Sequence, residues 1–364
     1  MVELWRLEST TSTGELLLGG IEAIEWGPDG FIYMLDYLLK TVHIIQSDGM
    51  YVRSIGRAGE GPGEFGSTNG LVIDDRGRRI GVSDYSRQRI TFLSLDGLPA
   101  GEWLPQPVDG SRARPYKARM GRDRIIVSCR ILSPRGDQAT LRYLSGLFDE
   151  QGALVNVLFE RRHELDRTQA MVFDEETAEP LSIFAVDQQG RTLLAPAYGS
   201  YEVHCFDSSG VRTHVIMREY DRLARTPAER ESEHAMLVQS LSAFPNSQVR
   251  SSAWVRDILQ VTARPDGCMW VESSRGWRPE EPGVALVIDQ FDEEGRFARQ
   301  AVLHGPMDHW EDFVCVHGDT LLRVTSATST WAAALASPPS GDAERIEEAE
   351  AQLVICYRLV RVGG

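Results

Sequence analysis

The chain has 364 residues, 42% of them hydrophobic, with a mean hydropathy of −0.25 and a formal net charge of −15. That composition can build a large core. The charge argues against partners that are recognised by neutralising phosphate with Lys and Arg, which excludes sequence-independent nucleic-acid binding and anionic membrane surfaces. No apolar run reaches 18 residues, so no membrane-spanning helix is expected.

The first ten residues, MVELWRLEST, lack the basic and then apolar regions of a secretory leader. Five cysteines, Cys129, Cys205, Cys268, Cys315 and Cys356, are dispersed with no CxxC pair, a pattern of free thiols in a reducing compartment. The expected location is the cytoplasm, with an exported form that has lost its leader as the alternative. Only two of the 38 basic residues are lysine, Lys40 and Lys117.

Taken in order, Val2–Glu8 alternates as a half-buried strand does. Phe31–Gly49 then reads FIYMLDYLLKTVHIIQSDG. A shift of 48 places Asp36 on Asp84, Tyr37 on Tyr85 and Asp48-Gly49 on Asp96-Gly97, without a gap. A repeat of this length is one supersecondary unit that cannot bury its faces alone. Turn markers recur at Asp29-Gly30, Arg76-Gly77, Gln189-Gly190 and Asp266-Gly267, and again at Gln151-Gly152, Ser209-Gly210 and Glu294-Gly295. They divide the chain into six units, at about 22–56, 69–104, 116–159, 182–217, 257–303 and 311–362. The sixth has three evident strands, and residues 2–8 supply the fourth. Pairing the N-terminal strand into the last sheet removes the exposed edges of an open array.

The segments GRAGEGPGEF (56–65), GLVID (70–74), VSDYSRQRI (82–90) and LDG (95–97) resemble an NHL-type repeat of the six-bladed β-propeller superfamily, most closely over Glu22–Leu104. The resemblance implies an all-β chain forming a single six-bladed propeller over 1–364, closed by the N-terminal strand, with helical and loop insertions on one face. The long segments 56–69, 104–115, 128–140, 160–180, 219–256, 272–283 and 326–352 all fall in the two loop classes that open on that face. Long loops on a rigid scaffold carry function. Within 219–256, Thr226-Pro227-Ala228-Glu229 is a capping box opening a helix over 226–244, with Met236, Leu237, Leu241 and Phe244 on one stripe. This segment is expected as a lid over the mouth, or else packed on the outer rim. Asp342–Ala351 is a second, charged helix candidate.

The repeat register selects the candidate site residues. Tyr37, Tyr85 and Tyr198 occupy one turn position in three blades, and Tyr201, Arg275 and Trp277 share its loop class. With Asn69, His309 and Trp310 they form the expected substrate-binding set, suited to an uncharged or aromatic ligand. Asp36 and Asp84 are expected to cap their own turns. Glu22, Asn69, Ser182, Leu259 and Asp312 align at the starts of the innermost strands. Glu22 and Asp312 are candidate acid/base residues, or ligands of a hard cation such as Ca²⁺ at the channel mouth. The alternative for them is a pair of solvated carboxylates. The resemblance extends to gluconolactonase-like and strictosidine-synthase-like propellers, which place carboxylates in this region, but the full Glu/Asn/Asp set of the former is not found. Lys117, at the start of the third unit, is a candidate nucleophile or base, because Lys can lose its proton where Arg cannot. No zinc spacing and no Ser/His/Asp arrangement stands out among the eight histidines.

The expected function is that of a small-molecule enzyme or binder, with acid/base lyase, cyclase or hydrolase chemistry and no required cofactor. The alternative is a non-catalytic propeller whose partner is a protein.

Overall fold

The computed structural model describes residues 1–9, 16–107, 110–121, 123–166, 168, 172–178, 183–240, 247–278, 281–336 and 352–360. Strand β1 is Val2–Glu8. Blade 1 is β2 (Ile21–Trp26), β3 (Ile32–Asp36), β4 (Thr41–Ile45) and β5 (Tyr51–Ile55). Blade 2 is β6 (Thr68–Asp74), β7 (Arg79–Asp84), β8 (Arg89–Ser94) and β9 (Pro99–Trp103). Blade 3 is β10 (Ala113–Met120), β11 (Ile125–Arg135), β12 (Gln138–Phe148) and β13 (Leu154–Asp166). After β14 (Val172–Asp174) and α1 (Glu175–Ala178) comes blade 4, formed by β15 (Phe184–Val186), β16 (Thr192–Leu194), β17 (Glu202–Phe206) and β18 (Arg212–Met217). Helix α2 (Pro227–Ser240) and β19 (Gln248–Arg250) precede blade 5, which is β20 (Ile258–Ala263), β21 (Met269–Ser273), β22 (Val284–Phe291) and β23 (Phe297–His304). Blade 6 is β24 (Phe313–His317), β25 (Thr320–Val324) and, after α3 (Ala327–Ala336), β26 (Leu353–Arg358).

Each blade is an antiparallel meander, and the sixth is completed by β1, in the order β1-β26-β25-β24. Register runs from Val2 opposite Arg358 to Glu8 opposite Leu353. The Trp5 indole donates to the Ser47 carbonyl at 2.9 Å and packs on Gly49, at φ +92, where a Cβ would stand 2.6 Å from the ring. Gly therefore serves twice there, for the left-handed turn and for the close approach. This is the architecture of a six-bladed β-propeller.

Two compact units divide the chain, residues 1–103 with 281–285 and 303–364, and residues 104–280 with 286–302. In the first unit, Ile24, Met34, Leu322 and Val354 form one cluster, and Leu35, Val42, Leu71, Ile80 and Val82 another. In the second, Ile126, Leu147, Phe184 and Leu194 pack together, as do Val203, Ile258, Val271 and Phe291. Burial falls off across a blade. All of β3 is buried, whereas the fourth strand, β5, exposes Val52, Arg53 and Ser54. A middle strand is covered on both faces and reads as an apolar run, while the outer strand is half solvated.

Two loop expectations need correction. Residues 128–140 are not a loop, because β11 and β12 continue as one long hairpin to a turn at Gly136, and β13 reaches Asp166. The alternation through CRILSPRGDQATLRYL is that of strand, not of insertion. At 76–79 the left-handed residue is Arg78 and not Gly77, whose N–H is instead held by the Asp74 carboxylate at 3.0 Å.

Four innermost strands share a defect. Register slips by one residue at Glu22 in β2, at Asn69-Gly70 in β6, at Tyr116 in β10 and at Leu259 in β20. These are β-bulges, which re-aim a side chain and concentrate near functional sites.

Candidate functional site

The site is built on a latch that closes blade 1. Asp36 ends β3, is fully buried, and its carboxylate accepts the N–H groups of Gly19 (2.7 Å), Gly20 (3.0 Å), Leu38 (3.0 Å) and Leu39 (2.9 Å). Burial pushes its pKa up, but His43 and the backbone donors outweigh this and hold it below the usual carboxylate value. The latch draws the 16–20 segment over the start of β2, and the Tyr37 N–H donates to the Gly20 carbonyl at 2.9 Å. The Tyr37 ring lies on Gly20, where a Cβ would stand 2.4 Å from Cε1. Blade 2 repeats the latch, with Gly66 N–H on Asp84 at 2.7 Å and Tyr85 N–H on the Ser67 carbonyl at 2.8 Å. Both aspartates cap, as their turn position suggests.

Glu22 is the bulged residue beside this latch. Its Oε2 is shielded from solvent and has no hydrogen-bond partner among the described residues, nor has the buried hydroxyl of Tyr37. Burial pushes the Glu22 carboxyl up to about 8; the nearby charge of Lys40 draws it back and that of Asp36 raises it further. Burial also raises the Tyr37 phenol, with Glu22 and Asp36 adding to it, so Tyr37 stays a proton donor. Lys40 sits at the left-handed position of the turn, donates to the Tyr37 carbonyl and lies 6.0 Å from the Tyr37 ring centre. Gln352 borders the site: its Oε1 accepts the Ile21 N–H at 2.8 Å, and its buried Nε2 is unpaired among the described residues. Lys40 and Gln352 were not placed beside Glu22 by sequence reasoning. Gln352 could not have been, since it is 330 positions away along the chain.

The sequence showed no Ser/His/Asp arrangement, yet one exists. His43 Nε2 lies 3.3 Å from Asp36, its Nδ1 lies 2.7 Å from Ser54 Oγ, and Ser54 Oγ lies 2.9 Å from the Tyr51 hydroxyl. Only the strand pairing His43↔Ser54 reveals it.

Asp312 is committed to other partners. It precedes β24, outside any bulge, and Arg323 Nε (2.6 Å) and the Asp308 N–H (2.7 Å) occupy its Oδ2. The pair Glu22 and Asp312 does not fit a Ca²⁺ ion, because Arg323 already neutralises the Asp312 carboxylate. Among the described residues no group of three or more His, Cys, Asp or Glu converges as a metal site would require.

The remaining candidates are spread over the chain. In the first unit, Asn69 is in the bulge of β6 and Tyr85 is half-buried at the end of β7. Burial lowers the pKa of His309, and the Trp310 N–H donates to Asp308 at 3.0 Å. In the second unit, Tyr198 is buried and donates to Glu175 at 2.6 Å, and Tyr201 is a core residue that donates to Asp289 at 2.8 Å. Those two hydroxyls serve the scaffold, because each is committed to a buried carboxylate. Arg275 stands 4.8 Å over the Tyr220 ring, and Trp277 ends a short 3-10 turn, Ser274–Trp277. Lys117 lies in β10, 5.4 Å over the Phe184 ring. Ser182 lies outside the described residues.

The 219–256 insertion is fastened within its own unit. Glu175 binds Arg225 through two bonds of 2.8 Å and accepts the Ser252 N–H at 2.7 Å, while β14 and β19 pair in parallel. The capping box forms, with the Thr226 N–H on Glu229 at 2.6 Å and the Glu229 N–H on Thr226 at 3.3 Å. Met236 and Leu237 are half-buried; Leu241, Phe244 and the candidate helix 342–351 lie outside the described residues. A cavity of about 310 Å³ in the second unit is lined by turn residues such as Gly121, Asp123 and Ser209 and by the strand residues Ile126, Leu147 and Val155. It holds no buried unpaired carboxyl, so the site is assigned to Glu22 on chemistry and not on volume.

Residues 7–103 match the profile of a family described as a 6-bladed beta-propeller. No curated protein matches the chain. Similar solved structures include a Bacteroides fragilis protein provisionally described as exported, at 12% identity over 98% of this chain and 95% of that one, with a TM-score of 0.48. A catalytically inactive virginiamycin B lyase from Staphylococcus aureus with quinupristin shares 12% identity over 88% and 82%, with a TM-score of 0.46. A luciferin-regenerating enzyme shares 11% over 94% and 92%, with a TM-score of 0.42. At these identities none of them assigns an activity or a ligand. The sheet order and the match over 7–103 agree on one conclusion, that the chain is a six-bladed β-propeller.

Proposed function

We propose that the chain binds a small molecule at Glu22 and acts on it by proton transfer, as a lyase, cyclase or hydrolase. The carrying observation is the Glu22 carboxyl, buried on a bulge with an unsatisfied oxygen beside the unsatisfied Tyr37 hydroxyl. An orphaned buried carboxyl is costly unless something pairs with it. A pKa of about 8 also suits proton exchange near neutral pH. In this reading Glu22 delivers and recovers the proton, Tyr37 donates a hydrogen bond to the ligand, and Lys40 stabilises developing negative charge. The ligand is uncharged, because the burial that keeps Glu22 protonated disfavours charge in the site and Asp36 adds a negative field to it. The five cysteines are free thiols, three of them buried, which supports a reducing compartment; export is the alternative.

A thermal-shift screen of lactones, esters and enolisable ketones tests the site. Hits should lose their stabilising effect in Glu22→Gln and weaken in Tyr37→Phe. If every hit binds both variants as it binds the parent, the assignment is wrong.

A further inference from the structure

Four buried polar atoms that have no hydrogen-bond partner among the described residues gather along one row of blade 1. The register sets Ile21 opposite Asp36, and Asp36 opposite Thr41. Neighbouring strands lie about 4.8 Å apart, so the row spans roughly 10 Å across β2, β3 and β4. Thr41 Oγ1 is orphaned at one end. Glu22 Oε2 and the Tyr37 hydroxyl, each one residue along from the row, are orphaned as well, and the charge of Glu22 acts on the Tyr37 phenol. Gln352 Nε2 is held at the other end, because Gln352 Oε1 accepts the Ile21 N–H at 2.8 Å. The oxygen and nitrogen of an amide are about 2.2 Å apart, which keeps Nε2 within about 5 Å of the Ile21 nitrogen.

The sense of these hydrogen bonds is constrained. The Ile21 N–H requires an acceptor, so the oxygen of the Gln352 amide faces it and the N–H₂, which only donates, points elsewhere. Gln352 is 1% exposed, so bulk water does not reach that donor. Tyr37 keeps its proton, since burial and the charges of Glu22 and Asp36 oppose its loss. The Thr41 hydroxyl and a protonated Glu22 carboxyl can each donate or accept, and they adapt to either kind of partner. The Gln352 nitrogen takes an acceptor only. Leaving it and the Tyr37 O–H unpaired in a buried place is costly. One oxygen with two lone pairs in a plane, as a carbonyl carries, accepts from both donors at once.

We propose, resting on the reading of Glu22 as the acid/base group, that Gln352 Nε2 and the Tyr37 hydroxyl together bind the carbonyl oxygen of an uncharged substrate. Gln352 is then the residue that selects ketones, lactones and esters over analogues without that oxygen. Its position at the start of β26 brings this selection to blade 1 from the far end of the chain.

Calorimetric titration of the full chain with matched probes tests this, using δ-valerolactone against tetrahydropyran and chromanone against chroman. Each pair differs only by a carbonyl in place of a methylene. In the parent at least one carbonyl probe should bind about tenfold or more tightly than its partner. Gln352→Met keeps the volume and removes the donor, so that ratio should fall by about tenfold while the methylene probe binds as before. Because Gln352→Met also strips the Ile21 N–H of its acceptor, the infrared carbonyl stretch of bound chromanone supplies a measurement that does not need that variant to fold. In Tyr37→Phe the stretch should rise and still lie below its value in hexane, since Gln352 goes on donating. The proposal is overturned, with the Glu22 reading intact, if the ratio survives Gln352→Met or the stretch in Tyr37→Phe reaches the hexane value while Glu22→Gln still weakens binding. Equal binding of every probe to Glu22→Gln and to the parent overturns the Glu22 reading and this proposal with it. If no carbonyl probe binds the parent better than its methylene partner below about 10 mM, water fills the place and the proposal falls.

Discussion

Blades 1 and 2 repeat one backbone design within one unit, and they differ where chemistry is possible. Their latches match, with Asp36 and Asp84 accepting the Gly19 and Gly66 N–H groups at 2.7 Å each. Lys40 and Gln88 both take the left-handed turn position, at φ +56 and +61. Blade 2 ties down its own turn: the Ser86 hydroxyl donates to Asp84 at 2.8 Å, and Arg87 reaches back to the carbonyls of Gly59 and Glu64 and fastens the GPGEF loop. Blade 1 has Leu38 where blade 2 has Ser86, Gly20 where it has Ser67, and a carboxyl on its bulge where it has Asn69. The frame is common property, and function lies in what the bulge presents.

The largest expected effect tests the shared part. Asp36→Ala leaves four buried N–H groups and His43 without their acceptor, and should cost about 4 kcal/mol in chemical denaturation. Asp84→Ala should cost less, about 2 kcal/mol, because Ser86 beside it can turn to water. Equal losses would mean that blade 1 draws nothing extra from its latch.

The next effect tests the difference. Glu22 binds its proton in the folded state up to a pH of about 8 and in the unfolded state only up to the ordinary value of 4.5. Between those limits the folded state holds more protons, so stability falls as pH rises, by at most about 1.4 kcal/mol per pH unit. Glu22→Gln removes that loss. Its denaturation midpoint should exceed that of the parent at pH 9, by on the order of 3 kcal/mol in stability, and converge with it near pH 5. Glu272, buried in the second unit and raised to about 7, adds a slope of the same sign that both proteins retain. A constant difference between the two proteins from pH 5 to pH 9 would refute the raised carboxyl.

How much of this was legible in the sequence follows from the reach of each signal. The 48-residue shift carries the fold, because Asp36/Asp84 and the turn glycines recur at fixed spacing. It also aligned Glu22, Asn69 and Leu259, which the structure shows as bulges. It failed for Asp312, because blade 6 begins without a bulge and Arg323 stands opposite Val314, close enough to reach the carboxylate from β25. It also failed for Tyr198 and Tyr201. A repeat position shows where a hydroxyl begins, but not that Glu175 or Asp289 arrives from another element to take it. Gln352 and the His43–Ser54 contact depend on pairing across strands, which no local spacing encodes.

Gly20→Ala sharpens the same contrast at moderate size. The added methyl would stand 2.4 Å from Tyr37 Cε1, so the ring must move off Glu22, at about 2 kcal/mol. In blade 2 the equivalent position already carries a side chain, and Ser67→Ala should change stability by less than about 0.5 kcal/mol. Ligand binding at Glu22 should fall in Gly20→Ala and be untouched in Ser67→Ala.

The smallest expected effect concerns the Asp36–His43–Ser54 chain, which blade 2 replaces with Thr91 and Glu102. Its residues match those of a nucleophilic triad, but its geometry argues for a structural brace. Asp36 is committed first to its latch, where four backbone N–H groups lie closer to it than His43 Nε2 at 3.3 Å. His43 is buried, Ser54 stands on the solvated outer strand, and the Tyr51 hydroxyl shares its oxygen. The backbone around Ser54 belongs to the β4–β5 ladder, where Ser54 stands opposite His43. Ser54→Ala should therefore cost about 1 kcal/mol in stability. It should also leave the response to a fluorophosphonate probe unchanged, because the parent protein itself should not be labelled at Ser54. Labelling there, abolished by His43→Thr, would turn the brace into a nucleophile and move the chemistry of blade 1 from its inner strand to its rim.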